Sequence, residues 1–385
     1  MLQDYSLLRI PGPTPVPPSV QSAMAKPMIG HRGEEATELL QRIRPRVKQL
    51  FGTEQDIITI AGSGTAGLET AVVNTVSSND EVLVIVTGAF GDRFAKICEA
   101  YHIKTHRLDV PWGEAISPEV LEQYLKNHQN IKAVFMTHCE TSTGVLNPIA
   151  SISKTIHENS NALVIVDAVS SLGGVKTEMD EWGVDLLVTG SQKAMMLPPG
   201  LTLLGVSDRA WKVIESNEHG CFYFDLQTYR KNVEGDKVPY TPAIPLLLGL
   251  DQALNLIEAE GLEEVYRRHE VMKDMTRAAM KALNVPLLTE DEYASPTVTA
   301  LKPTTFQAEE LRKIVKSQFN LSLAGGQQHL SGKVFRIGHM GYCAPADVLQ
   351  VISLIEIGLI QLGESVTPGA GVKSAQEVLL AQINK

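Results

Sequence analysis

Cysteine is scarce in this 385-residue chain: Cys98, Cys139, Cys221 and Cys343 lie far apart and form no C-x-x-C pair. That spacing argues against a secreted disulfide framework and against a structural zinc site, and it predicts a reducing cytoplasmic setting. Long apolar runs are missing too. Nothing approaches the ~18 uninterrupted apolar residues that a membrane-spanning helix needs. The amino-terminal MLQDYSLLRIPGP has neither a basic stretch nor a continuous apolar segment, so no signal peptide is expected. Excess positive charge is also lacking. With a formal net charge of −10 and its Lys and Arg scattered among acids, the chain offers little to a nucleic acid or an anionic membrane.

What remains is the composition of an ordinary globular enzyme, 44% hydrophobic and 20% charged. At ~100–200 residues per domain, the length points to two or three domains. Residues 11–18, PGPTPVPP, read as a stiff extended arm, here taken as 1–18. Leu39, Leu40, Ile43, Val47 and Leu50 recur at helical spacing and predict a helix over 34–50. Short apolar runs follow at 57–60, 82–86, 133–136, 162–166, 185–188 and 201–206, most of them separated by stretches of helical character. Such alternation predicts an α/β domain with a mostly parallel sheet covered on both faces, assigned to 19–255. The run at 201–206 follows its predecessor through a Pro-Pro-Gly turn with no helix between, which suits an antiparallel member. One long helix is expected over 246–270, broken near Gly261, and another over about 270–283. Strands at 296–301 and 333–337 with helices at 307–318, 346–361 and 374–383 then suggest a smaller α+β domain, assigned to 256–385.

Ligands collect at the carboxyl ends of strands in a parallel sheet, and three notable features stand there. Gly62-Ser63-Gly64-Thr65-Ala66-Gly67 follows the first strand and opens a helix, as a phosphate cup does. It also matches G-x-G-x-x-G, but the next strand ends in Thr87-Gly88 without the acid a dinucleotide ribose needs. Asp167 directly follows ALVIV; alone it would pass for a helix cap. Lys193 stands in Gly190-Ser191-Gln192-Lys193, followed by two methionines and Pro198-Pro199-Gly200. A lysine in so closed and apolar a turn can lose its proton and form an imine with an aldehyde. A fourth feature, Arg336 between the apolar residues of VFRIG, needs a carboxylate partner, internal or from a substrate. Phosphate cup, aspartate, lysine and carboxylate-binding arginine together are what pyridoxal 5′-phosphate chemistry requires. His138-x-Glu140 invites a zinc-deaminase reading, but no P-C-x-x-C follows it.

These motifs, with Gly88-Ala89-Phe90-Gly91, His138-Cys139-Glu140-Thr141-Ser142-Thr143-Gly144 and Asp167-Ala168-Val169-Ser170-Ser171, make the chain resemble the class V aminotransferases of fold type I. Within them it is most similar to the alanine–glyoxylate/serine–pyruvate group, from Pro11 to about residue 361. The resemblance implies that Lys193 carries the cofactor as an imine and that Asp167 partners its pyridine nitrogen. It implies phosphate ligands at Ser63, Gly64, Thr65 and Gln192, Phe90 over the ring, and Thr141 near the phenolic oxygen. Arg336 would hold the substrate carboxylate, with Gly12 and the Gly30-His31-Arg32 turn bordering the substrate pocket. Tyr240 and Thr241 would reach the phosphate of a neighbouring subunit, which implies a homodimer. The chain departs from the family at Phe90, where tryptophan is frequent, at Thr65, where histidine is frequent, and at Val238, where tyrosine is frequent.

The activity so implied is ping-pong transamination from a small amino acid, alanine or serine, to glyoxylate or pyruvate. Ureidoglycine–glyoxylate transamination is an alternative. A cysteine desulfurase-like lyase is less well supported: residues 324–329 hold no cysteine, and Gln192 stands where those enzymes usually have histidine. A non-catalytic cofactor-binding subunit is the remaining alternative. Arg32 and Arg93 are read as surface or ion-paired residues, with the monocarboxylate preference open to change if either enters the pocket.

Overall fold

The computed structural model describes residues 6–217, 220–233 and 235–383. Met1 to Tyr5, part of the segment read for a signal peptide, lie outside them. No helix among the described residues is long and apolar enough to cross a membrane.

A seven-stranded sheet organises the first two thirds of the chain, in the order Ile57–Gly62, Gly200–Val206, Leu186–Gly190, Leu163–Asp167, Ile131–Thr137, Glu81–Val86, Lys104–Asp109. All strands run parallel except Gly200–Val206, which is antiparallel to both neighbours. Both faces are covered, so consecutive side chains enter different cores. Leu83 and Ile85 pack on one face with helix residues Leu39, Ile43, Leu121, Ile152 and Leu250. Val82, Val84 and Val86 pack on the other with Leu68, Val72, Phe94 and Ile214. This double burial explains why the strands read as unbroken apolar runs.

The edge strand Lys104–Asp109 carries no such signal and was not foreseen. Paired on one side only and partly exposed, it reads KTHRLD. Its Lys104 and His106 bond the Glu81 carboxylate across the pair at 2.7 and 2.9 Å, and charged side chains of this kind also keep an edge from pairing further.

The later helices differ in one respect from expectation. The break at Gly261 is present, but the second helix runs unbroken over Leu262–Ala282 after Ile244–Glu260. Gly261 has φ +88°, which ends one helix and starts the next without a side-chain clash. Helix Leu262–Ala282 then packs with Ala308–Phe319, Pro345–Gln361 and Ala370–Ile383 around a third apolar cluster. That cluster backs a three-stranded antiparallel sheet, Val298–Leu301, Phe335–Gly338 and Ala324–Gly325, with Phe335–Gly338 in the middle. The proline arm does not project as a free leader. Leu7–Leu8 pairs with Leu321–Ser322, and the Gly338 N–H donates to the Arg9 carbonyl at 2.8 Å, which leads residues 11–14 to the edge of the large sheet.

Candidate active site

Strands of the large sheet deliver Gly62, Thr87-Gly88, His138, Asp167 and Gly190 to one edge, their carboxyl ends. Helix Gly64–Thr75 begins there with Ser63 as its cap, the Ser63 hydroxyl accepting from the Ala66 N–H at 3.4 Å. The amide groups of the first helical turn have no partner within the helix and remain available to an anion. Helix Ala89–Ala100 begins beside it, carrying Phe90 in its first turn. Its cap, Gly88, has no side chain to offer; a Cβ there would stand 2.4 Å from the Glu140 carboxyl carbon. Glu140 performs the capping from another segment. Its buried carboxylate accepts from the N–H groups of Phe90 and Gly91 at 3.1 Å each, and from the Ser142 amide and hydroxyl. The glutamate set aside with the zinc reading therefore holds the Phe90 backbone.

Lys193 is buried in the turn after Leu186–Gly190. Its Nζ donates to the Pro11 carbonyl. The arm holds the loop from two further points: the Thr14 N–H donates to the Gln192 carbonyl at 3.1 Å, and the Thr14 hydroxyl to the Lys193 carbonyl at 3.0 Å. Gly12 passes so close that a Cβ would lie 2.5 Å from Lys193 Cδ, and its φ of +104° also excludes most side chains. Burial lowers the Lys193 pKa to about 8, and the positive charges of Arg336 and Arg93 act in the same direction.

Asp167 closes its strand, with Oδ1 accepting from the Val169 N–H at 2.8 Å. Burial pushes its carboxyl up to about 7, against the lowering influence of that N–H, Lys193 and Arg93. A positively charged ring nitrogen beside it would favour the ionised form. Gln192 keeps a side-chain oxygen buried without any partner.

Arg336 occupies the central strand of the small sheet, opposite Ala300 and Ala324, whose short side chains leave room for it. It reaches the large domain and donates to the Thr141 carbonyl at 2.9 Å and, through Nε and Nη2, to the Gly325 carbonyl at 3.0 and 2.8 Å. No carboxylate stands within ion-pair distance of it among the described residues. Burial lowers its pKa to about 10, which leaves it charged near neutrality. Thr141 is a junction: its hydroxyl shares a hydrogen bond with Ser170 while its carbonyl serves Arg336.

Lys193, Asp167, Thr141, Arg336 and Gly12 thus meet in one place, with Ser63, Gly64, Thr65, Phe90 and Gln192 along the same edge. Tyr240 and Thr241 stand apart. Tyr240 stacks with Tyr223 at 5.3 Å and donates to the Phe222 carbonyl at 3.1 Å, and no hydrogen bond or ring contact among the described residues joins it to Lys193 or Ser63. Arg32 is exposed, and no hydrogen bond or ion pair among the described residues ties it to the site. Sequence reading did not foresee the Pro11 carbonyl, Thr14, Ser170, Gly325 or the capping role of Glu140. Pro11, Thr14, Glu140 and Ser170 all lay within quoted motifs, but their contacts depend on tertiary approach; carbonyls leave no mark in a sequence.

The donor set fits pyridoxal phosphate. It combines first-turn amides free for a phosphate, a buried amine of lowered pKa for an aldehyde, a carboxyl poised to pair with a cation, and an orphaned polar atom on Gln192. The chemistry does not extend to the cavity of about 660 Å³ lying against the same arm near Tyr342, whose charged groups include the ion pairs Arg9–Asp347 and Arg268–Glu260.

Comparison with known proteins bears on the same site. A profile of the family described as Aminotransferase class-V matches residues 11–348. A soluble hydrogenase small subunit of a Synechococcus species is 43% identical over 381 residues, covering 98% of this chain and 99% of that protein. Serine–glyoxylate aminotransferase of Methylorubrum extorquens is 38% identical over 384 residues, 97% of this chain and 95% of that protein. The crystal structure of ureidoglycine–glyoxylate aminotransferase from Bacillus subtilis superimposes with a TM-score of 0.91 at 29% identity, covering 98% of this chain and 99% of that one. The first of these names belongs to another chemistry. The residues gathered at this edge are an amine, a carboxyl and a guanidinium, and among the described residues no three His, Cys, Asp or Glu side chains are grouped to hold a metal ion.

Proposed function

The chain belongs to the class V aminotransferases and is a transaminase, and we propose that it works through pyridoxal phosphate held on Lys193, moving an amino group from alanine or serine to glyoxylate or pyruvate. The observation that carries this reading is the pair of buried cations, Lys193 and Arg336, each bonded to backbone carbonyls and neither ion-paired with an acid among the described residues. In this reading residues 19–255 form the cofactor-binding domain behind an arm of 1–18, and 256–385 the smaller domain that carries Arg336.

Ser63, Gly64, Thr65 and Gln192 would hold the phosphate, Phe90 the ring face, Thr141 the phenolic oxygen and Asp167 the pyridine nitrogen. Bound there, pyridoxal phosphate supplies an electron sink for the pair left when the donor's Cα loses a proton. The chain's own residues do the rest. The Arg336 guanidinium takes the substrate carboxylate in a forked pair of hydrogen bonds and so fixes the orientation of Cα. Once the donor's amino group has taken its place on the cofactor, Lys193 Nζ, brought by burial to a pKa of about 8, would be free to accept the Cα proton as general base. Asp167, once ionised, would place a negative charge beside the ring nitrogen and keep it protonated. A single arginine at the substrate end suits a monocarboxylate. Tyr240 and Thr241, which share no hydrogen bond or ring contact with Lys193 among the described residues, would suit a phosphate contact made to a second subunit, hence a homodimer with shared sites.

Ureidoglycine as donor is a second reading, supported by the superposition with the Bacillus subtilis enzyme. Visible spectra of the purified protein before and after addition of alanine, serine, ureidoglycine or glyoxylate test the proposal, followed by steady-state kinetics. A true donor shifts the cofactor band and gives parallel-line, ping-pong kinetics with glyoxylate. Absence of any shift with all donors contradicts it.

A further inference from the structure

Arg93 was read from the sequence as a surface or ion-paired residue, and the structure places it otherwise. It stands one turn after Phe90 on helix Ala89–Ala100, on the same face. Its guanidinium lies over the Phe90 ring, 4.7 Å from the centroid. From there Nη1 donates to the Thr65 hydroxyl at 3.1 Å, across to the first turn of the neighbouring helix Gly64–Thr75. Arg93 is half-buried, and among the described residues no carboxylate pairs with it. It therefore sits at the positive ends of two helix dipoles, near the Lys193 amine, against an aromatic face and one hydroxyl. A cation is poorly placed there unless an anion joins it.

We propose that Arg93 is a ligand of the cofactor's phosphate, closing the cup from the Thr65 side while Phe90 holds the guanidinium flat. The inference rests on the pyridoxal-phosphate reading above. It also separates the two arginines of the site: Arg336 serves the substrate carboxylate from the small sheet, and Arg93 serves the phosphate from the large one. Phosphate is favoured over a second substrate carboxylate because the hydrogen bond of Arg93 goes to the cup residue Thr65, whereas Arg336 is anchored on Thr141 and Gly325. Each of the two cations lowers the Lys193 pKa, as expected of groups flanking it.

The test compares pyridoxal phosphate with pyridoxal, which lacks the phosphate, by absorbance titration of the apoprotein. Arg93→Met keeps the bulk over Phe90 and removes the charge; Arg93→Lys keeps the charge and loses the fork. For Arg93→Met the pyridoxal phosphate Kd is expected to rise about 10- to 100-fold, the loss of one charge-assisted hydrogen bond, while the pyridoxal Kd stays within about twofold. Arg93→Lys should fall between wild type and Arg93→Met. Equal weakening of both ligands overturns the proposal, as does an unchanged pyridoxal phosphate affinity. A wild type that takes up neither ligand removes the cofactor reading itself, a result distinct from any of these.

Discussion

The edge of the large sheet and the middle strand of the small one each present a buried cation with backbone carbonyls for partners, yet the two are prepared for opposite tasks. Lys193 and Arg336 both lose hydration, and burial lowers the pKa of each, to about 8 and about 10. Because the ordinary values are 10.5 and 12.5, a similar penalty brings the amine within reach of discharge near neutrality and leaves the guanidinium charged. The same physical setting thus leaves one amine able to discharge near neutrality and one guanidinium lastingly charged. A residue's own chemistry, not its burial, decides which.

The sharpest way to break this contrast is to remove the base. Lys193→Ala should abolish the visible band of the bound cofactor and lower kcat/KM by about a thousandfold or more, measured with the best donor. A retained band would mean that another lysine carries the cofactor. Exchanging the clamp for the dischargeable residue sharpens the contrast: Arg336→Lys should keep the band and raise substrate KM about 10- to 100-fold, since one forked, charge-assisted contact is lost. That penalty should grow as pH rises, because a buried lysine gives up its proton where arginine does not. An equal KM at every pH contradicts the assignment. A smaller effect concerns uptake. The neutral amine is the reactive form, so the rate at which apoprotein takes up pyridoxal phosphate should increase with pH through a midpoint near the Lys193 value of about 8. An ordinary surface lysine would place that midpoint near 10.4. Stopped-flow absorbance distinguishes them.

The two regions were also unequally legible. Strands buried on both faces announce themselves, since Val82 to Val86 must be apolar whichever core they enter. Lys193, Asp167 and the cup were found because parallel-sheet topology says where to look. The edge strand at 104–109 was not, because half of its hydrogen-bonding capacity and most of its side chains face away from any core. Helix Leu262–Ala282 was divided near residue 270, although no glycine or proline stands within it to break it. In the site, what escaped reading was support by backbone. The Pro11 carbonyl beneath Lys193 and the Gly325 carbonyl beneath Arg336 depend on tertiary approach. Gly12 carried a hint, yet its spacing requirement, 2.5 Å between a built Cβ and Lys193 Cδ, exists only once the arm is docked. The place of Arg93 was left open for the same reason: its lack of an acid partner among the described residues is a fact of three dimensions.

Reductive trapping addresses the central claim most directly. Holoprotein treated with borohydride, digested and mapped by mass spectrometry should carry the reduced cofactor on the peptide containing Lys193 and on that lysine alone. Modification at a different lysine, or a protein that yields no modified peptide after saturation with pyridoxal phosphate, would contradict the account.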